Sequence, residues 1–202
     1  MAPVTDISQL DLNQAYSYAD YLSWHFTEYV ELIKGKLVRK ISAPTSEYQQ
    51  IATNLTVEIG RYLKRKSCQV YAAPFDVRLL RSPGNGDAQI QTVVQPDLSI
   101  ICDRSKIDKR GCLGAPDWII EIVSPSSLLL DTRTKFDLYA ENGVREYWIV
   151  LPGEQAITAY ALGAEGQYEP SGTYVEPGLM PSHVLPELAI EWADIFEEVK
   201  QC

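Results

Sequence analysis

Apolar residues recur along this 202-residue chain with periods that change several times, and each change marks an element. Over residues 45–66, Ile51, Leu55, Ile59 and Leu63 return every four positions, with Tyr48, Ala52 and Tyr62 beside them. That stripe predicts a helix with one buried face. Ser17 and Asp20 have the spacing of a reciprocal N-terminal cap, and Tyr18, Tyr21 and Leu22 follow at helical spacing, which predicts a short helix near 17–25. Residues 28–41, EYVELIKGKLVRKI, divide into two strands around Lys34-Gly35, the signature of a tight hairpin. Strands are also expected at 69–80, interrupted by Pro74, at 92–102, and at 117–123. The last of these, DWIIEIV, is apolar enough for the centre of a sheet. Residues 81–91 form a polar loop and 103–116 a basic, glycine-containing connection.

Ser124-Pro125-Ser126-Ser127 ends the 117–123 strand, and a helix over about 128–142 follows, with Phe136, Tyr139 and Ala140 on one face. Asn142-Gly143 closes it. A fourth strand at 146–151 comes directly after. Residues 155–162 and 167–175 predict a terminal hairpin, and the acidic stretch at 187–198 a C-terminal extension with a short helix. Residues 1–16 are expected to form a flexible arm and 17–202 one domain. The order helix, three strands, helix, strand is an αβββαβ core. Three strands can run as an antiparallel meander, and the helical crossover allows the fourth to lie parallel to a neighbour. The expected fold class is α/β, a mixed sheet flanked by helices.

With 46% hydrophobic and 22% charged residues, the chain is ordinary globular material that can bury a core. No apolar run reaches the roughly 20 residues a membrane span needs, and the N-terminus lacks the basic and apolar regions of a signal peptide. A cytoplasmic location and no membrane partner are therefore expected. Cys68, Cys102, Cys112 and Cys202 form no C-x-x-C pair and only His25 and His183 could join them, so a structural zinc site is not expected and the thiols read as reduced. The net charge of −9 opposes sequence-independent nucleic-acid binding. Two local basic groups, Lys64-Arg65-Lys66 and Arg104, Lys106, Lys109 and Arg110, suit solvated loops or helix ends.

The chemistry lies in acids that interrupt strands. Asp97 follows Pro96 in VVQPDLSII, and Glu121 breaks the apolar run DWIIEIV. A carboxylate inside a buried strand is costly unless paired, hydrogen-bonded or bound to a metal. Mg²⁺ takes one or two carboxylates plus waters and substrate phosphate. If the two strands pair antiparallel with Asp97 facing an odd-numbered residue, the two acids share a face. Otherwise Asp97 caps a strand start and Glu121 pairs with a nearby cation. Lys135 flanks the packed face of its helix and could reach this end of the sheet, although on spacing alone an i, i+4 pair with Asp131 accounts for it better. Asp76 in PFDVRLL is a possible further ligand, or a partner of Arg78 or of a neighbouring strand. Glu31 alternates with Val30 and Leu32, on a solvated hairpin face or as another ligand.

As a set, YVELIKGKLV, APFDVRLL, VVQPDLSII, PDWIIEIVSPSS, TKFDLYAENGVREYWIV and LPGEQAITAY resemble the Uma-type restriction-endonuclease family of the PD-(D/E)xK nuclease superfamily, over roughly residues 18–195. The resemblance implies a restriction-endonuclease-like fold with the PD aspartate at Asp97 and the second acid at Glu121. It implies hydrolysis of DNA phosphodiesters with Mg²⁺ or Mn²⁺ bound by Asp97 and Glu121, and homodimers that cut both strands. The superfamily lysine sits two residues beyond the second acid, where this chain has Val123; relatives supply it from the following helix, and Lys135 matches. Tyr48 stands where many relatives carry histidine. Two other expectations stand beside a nuclease: a non-catalytic nucleic-acid- or protein-binding module on the same fold, motivated by the acidic charge, and a structural homodimer in which Glu121 is a satisfied buried acid.

Overall fold

The structure is a computed structural model and describes residues 4–39, 45–80 and 86–197. In chain order its elements are α1 (Tyr18–Tyr21), β1 (Val30–Ile33), β2 (Lys36–Arg39), α2 (Ser46–Leu63), β3 (Gln69–Ala72), β4 (Val77–Leu79), β5 (Thr92–Val94), β6 (Leu98–Ile101), β7 (Ile107–Asp108), β8 (Gly111–Leu113), β9 (Trp118–Ile122), α3 (Lys135–Glu141), β10 (Glu146–Leu151), β11 (Ala156–Leu162), β12 (Tyr168–Tyr174), β13 (Leu179–Pro181), β14 (Ala189–Glu191) and α4 (Trp192–Phe196). The expected core is present. One sheet has the order β3-β6-β9-β10-β11-β12, with β9 and β10 parallel across the α3 crossover and the other neighbours antiparallel.

Alternation along β9 places its two faces in different cores. Trp118, Ile120 and Ile122 join the Ile51–Leu55–Ile59–Leu63 stripe of α2, while Ile119 and Val123 join Leu138, Tyr139 and Tyr147. Thr45 caps α2, its hydroxyl accepting from the Tyr48 N–H. Ser17 and Asp20 form the expected reciprocal cap on α1. Lys34 (φ 49°) and Gly35 (φ 80°) make the β1–β2 turn, with the paired positive φ that a two-residue hairpin of this twist requires.

The strands expected at 69–80 and 92–102 each divide in two, and the halves enter different sheets. Pro74 and Pro96 lie at the two breaks; proline has no N–H with which to continue a ladder. The halves β4 and β5 build a second sheet, β2-β1-β5-β4-β8-β7. The expected connection at 103–116 contributes its own hairpin, β7–β8, to this sheet. Gly111 there has φ 117°, and a Cβ would stand 2.1 Å from the Asp76 carbonyl oxygen, so only glycine lets β8 approach β4. The expected loop at 81–91 lies partly outside the described residues.

The 128–142 helix starts as a π-type turn over Leu130–Thr134 before α3 begins. Residues 4–16 pack onto α1 and β1: Val4 bridges to Trp24, and Ile7 and Tyr16 are buried with Tyr18, Leu32 and Val93. Near the C-terminus β13 and β14 pair and α4 packs on α2. The expectation of reduced thiols fails for two cysteines. Cys68 and Cys102 follow the β3–β6 register as facing neighbours and are joined as a disulfide. No helix among the described residues is long and apolar enough to cross a membrane.

Candidate functional site

The antiparallel register of β6 on β9 sets Leu98 against Ile120. One step further along, Asp97 meets Glu121, the odd-numbered partner a shared face requires. Asp97 sits just ahead of β6. One of its oxygens accepts the Ile122 N–H at 2.7 Å and the other accepts the Tyr48 hydroxyl from α2.

Glu121 occupies the interior of β9. Its Oε1 accepts from Lys135 Nζ at 2.9 Å and from the Tyr139 hydroxyl at 2.7 Å. Lys135 opens α3, and Tyr139 is one helical turn further on the same face. Lys135 also donates to Glu31 Oε1 at 2.9 Å and lies 3.7 Å from Asp131. Glu31 Oε1 in turn accepts the Gln95 N–H at 2.7 Å. The Gln95 side chain donates to Asp76 at 2.8 Å, and the Tyr21 hydroxyl reaches the same oxygen at 3.4 Å. Thus the residues singled out from sequence converge on one end of the main sheet. Glu121, Lys135 and Glu31 are in direct contact, Asp76 connects through Gln95, and Asp97 through the Ile122 backbone.

Two expectations change. Glu31 is not on a solvated hairpin face; it is 3% exposed and turned inward to Lys135 and the Gln95 N–H. Asp76 does not pair with Arg78, whose guanidinium turns to Asp108 at 2.7 Å. The i, i+4 contact of Lys135 with Asp131 exists, but it is the longest of three and the lysine bonds more closely to the two glutamates. Sequence reasoning missed Gln95 and the part Tyr139 plays. Gln95 had only its place before Pro96-Asp97 to mark it; Tyr139 could have been found from its four-residue spacing to Lys135.

The electrostatics follow from burial. Glu121 and Lys135 are each 1% exposed. Burial alone pulls Lys135 toward its neutral form, but Glu121, Glu31 and Asp131 outweigh it and hold the ammonium well above its ordinary pKa. Burial raises Asp131, against the opposing pull of Lys135. Burial, with Glu121 next, holds the Tyr139 phenol protonated far into alkaline pH, and burial together with Asp97 does the same for Tyr48. Glu121, Glu31 and Asp131 set three carboxylates around one ammonium, with Asp97 near Asp131.

The donor set is all oxygen, as hard divalent cations prefer. Among the described residues no group of three or more His, Cys, Asp or Glu side chains is arranged to cage a metal. A two-carboxylate site suits Mg²⁺, which completes its shell with water and phosphate oxygens rather than protein.

A family model described as Uma2, putative restriction endonuclease, matches residues 18–193. A protein of Synechocystis sp., itself described as uncharacterized, is 24% identical over 157 residues, 74% of this chain and 75% of that one. A crystal structure described as a putative nuclease belonging to DUF820, from Anabaena variabilis, superposes with a TM-score of 0.70 at 23% identity, over 89% of this chain and 97% of that one. The last likeness is one of fold.

Proposed function

Because this chain belongs to the Uma2 family, described as putative restriction endonucleases, we propose that it is a metal-dependent nuclease that hydrolyses DNA phosphodiester bonds. The register that sets Asp97 against Glu121 carries this reading. In it, Asp97 and Glu121 would hold Mg²⁺ or Mn²⁺, which would supply a more acidic water and offset charge on the phosphate. The residues supply the rest. The Ile122 N–H and the Tyr48 hydroxyl fix the two oxygens of Asp97. Tyr139 and Lys135 fix Glu121. Lys135, held protonated, keeps a positive charge beside the carboxylates, where it offsets the negative charge that grows at the scissile phosphate. The oxygen of water forms the new P–O bond as the ester P–O bond breaks, and the proton that the water gives up is passed through solvent to the leaving oxygen. Glu31 and Asp76 act by holding Lys135 and Gln95 in place, and are candidates for a further ligand. A homodimer would set one such site on each strand of a duplex.

Plasmid DNA incubated with the purified protein and Mg²⁺ or Mn²⁺ tests the reading. Nicking by the wild type and its loss, by at least about 100-fold, in Glu121→Ala is expected. Equal nicking by both proteins overturns the site assignment.

A second reading, a binding module that keeps the fold without catalysis, is favoured by the net charge of −9 and by the complete burial of Lys135 between its carboxylates. It requires DNA retention with no cleavage under any divalent ion, and the same incubation, followed by a gel-shift assay, distinguishes it.

A further inference from the structure

Beside the carboxylates lies a cleft of about 140 Å³ that the proposed chemistry does not use. Tyr21, Trp24, Phe26 and Tyr29 line it, with Glu28 and Gln95. We infer that this cleft is a subsite for one unpaired, amino-bearing nucleobase, adenine, cytosine or guanine, of the nucleic acid whose phosphate is presented to Asp97 and Glu121. The inference rests on the nuclease reading for the identity of the polymer, and on the cleft itself for the base.

Three observations support it. First, four of the residues lining the cleft are aromatic. Trp24 packs against Tyr21 and Phe26 at centroid separations of 5.7 and 5.5 Å, which holds the platform rigid, while Tyr29 is 61% exposed although large aromatic rings are usually well covered. Stacking on such rings is tolerant of base identity and is the main source of single-strand affinity. Second, the polar groups are wrong for phosphate and right for a base edge. Among the described residues no lysine or arginine lines the cleft, and the carboxylate of Glu28 can accept hydrogen bonds, as an exocyclic amine requires and a phosphate forbids. Third, the cleft and the carboxylate site share a residue. The Gln95 side chain lines the cleft, and the Gln95 N–H bonds the same Glu31 oxygen that Lys135 bonds. A base stacked within its own duplex cannot lie on a protein ring, so the base that enters is unpaired or turned out of its helix.

Fluorescence anisotropy with short labelled oligodeoxyadenylate, oligodeoxycytidylate and oligothymidylate, with Ca²⁺ in place of Mg²⁺, tests the subsite without turnover. Tyr29→Ala and Phe26→Ala should weaken adenylate and cytidylate binding by about 5- to 100-fold. Thymidylate, which lacks the amine, should bind the wild type more weakly than either. An oligonucleotide with an abasic position should lose affinity for the wild type and lose little more in Tyr29→Ala. Unchanged binding in both variants, or equal affinity for thymidylate, overturns the subsite. Deoxyadenosine and deoxycytidine binding to Glu121→Ala separates the two proposals: retained binding with no nicking by wild type sinks the nuclease alone, and nicking without nucleoside binding sinks the subsite alone.

Discussion

Removing the Lys135 ammonium would leave Glu31, Glu121 and Asp131 buried against one another with no counter-ion in the contacts they now share. Breaking a buried ion pair from one side costs about 3–5 kcal/mol. Lys135→Met should therefore lower the free energy of unfolding by that order in urea titration, as well as abolish nicking. Asp131 gives a test with a definite sign. Burial raises its folded pKa above the ordinary 3.8, so the folded protein binds this proton more readily than the unfolded chain. Stability attributable to Asp131 is greatest at low pH and declines as pH rises from 3.8 through the folded value. Asp131→Asn should flatten that decline in denaturation curves taken across the acid range. Burial also pushes the Cys112 thiol up to about 12. Cys112 should resist iodoacetamide near pH 8 in the native state and react once the protein is unfolded, as peptide mass spectrometry would show.

Among the elements, β10 has a second task besides flanking β9. Its first residue, Glu146, is fully buried and accepts from Trp148 Nε1, Ser182 Oγ and the backbone N–H groups of His183 and Val184, at 2.7–3.0 Å. One carboxylate thereby ties the C-terminal extension to the main sheet. Glu146→Ala leaves these four donors, three of them buried, without this acceptor. At about 1–3 kcal/mol for each unsatisfied group, it should cost several kcal/mol and expose the 182–185 amides to hydrogen exchange. The β7–β8 hairpin depends on Gly111 in a different way, through the space a side chain would fill. Gly111→Ala would drive a Cβ into the Asp76 carbonyl and must displace β4 or β8. A loss of thermal stability together with reduced nicking is expected, because Asp76 leads through Gln95 to Glu31.

Across the chain, two sheets and a long helix close over one end of β9, and that closure is what buries the acids. The disulfide between Cys68 and Cys102 secures the outer end of the main sheet, enclosing a loop of sequence separation 34. On loop-entropy grounds such a cross-link stabilises by about 3–4 kcal/mol. Non-reducing peptide mapping should recover the linked pair, and reductant should lower the melting temperature.

Amphipathic spacing was enough to locate α2, the β1–β2 hairpin, β9, β10 and the β11–β12 hairpin, because in each the side-chain period matches that of one backbone conformation. Two acids in apolar strands were likewise conspicuous, since a buried carboxylate departs from the surrounding pattern whatever its partner. Local pattern could not show that the 69–80 and 92–102 runs would each serve two sheets. Both halves of each run carry strand composition, and the choice of sheet is made by distant strands competing for the same edges. Nor could it show that Glu31 would turn inward to meet Lys135, 104 residues away along the chain. Contacts of that separation leave no period in the sequence; they exist only after the backbone has folded and made burial of one charge tolerable by the presence of another.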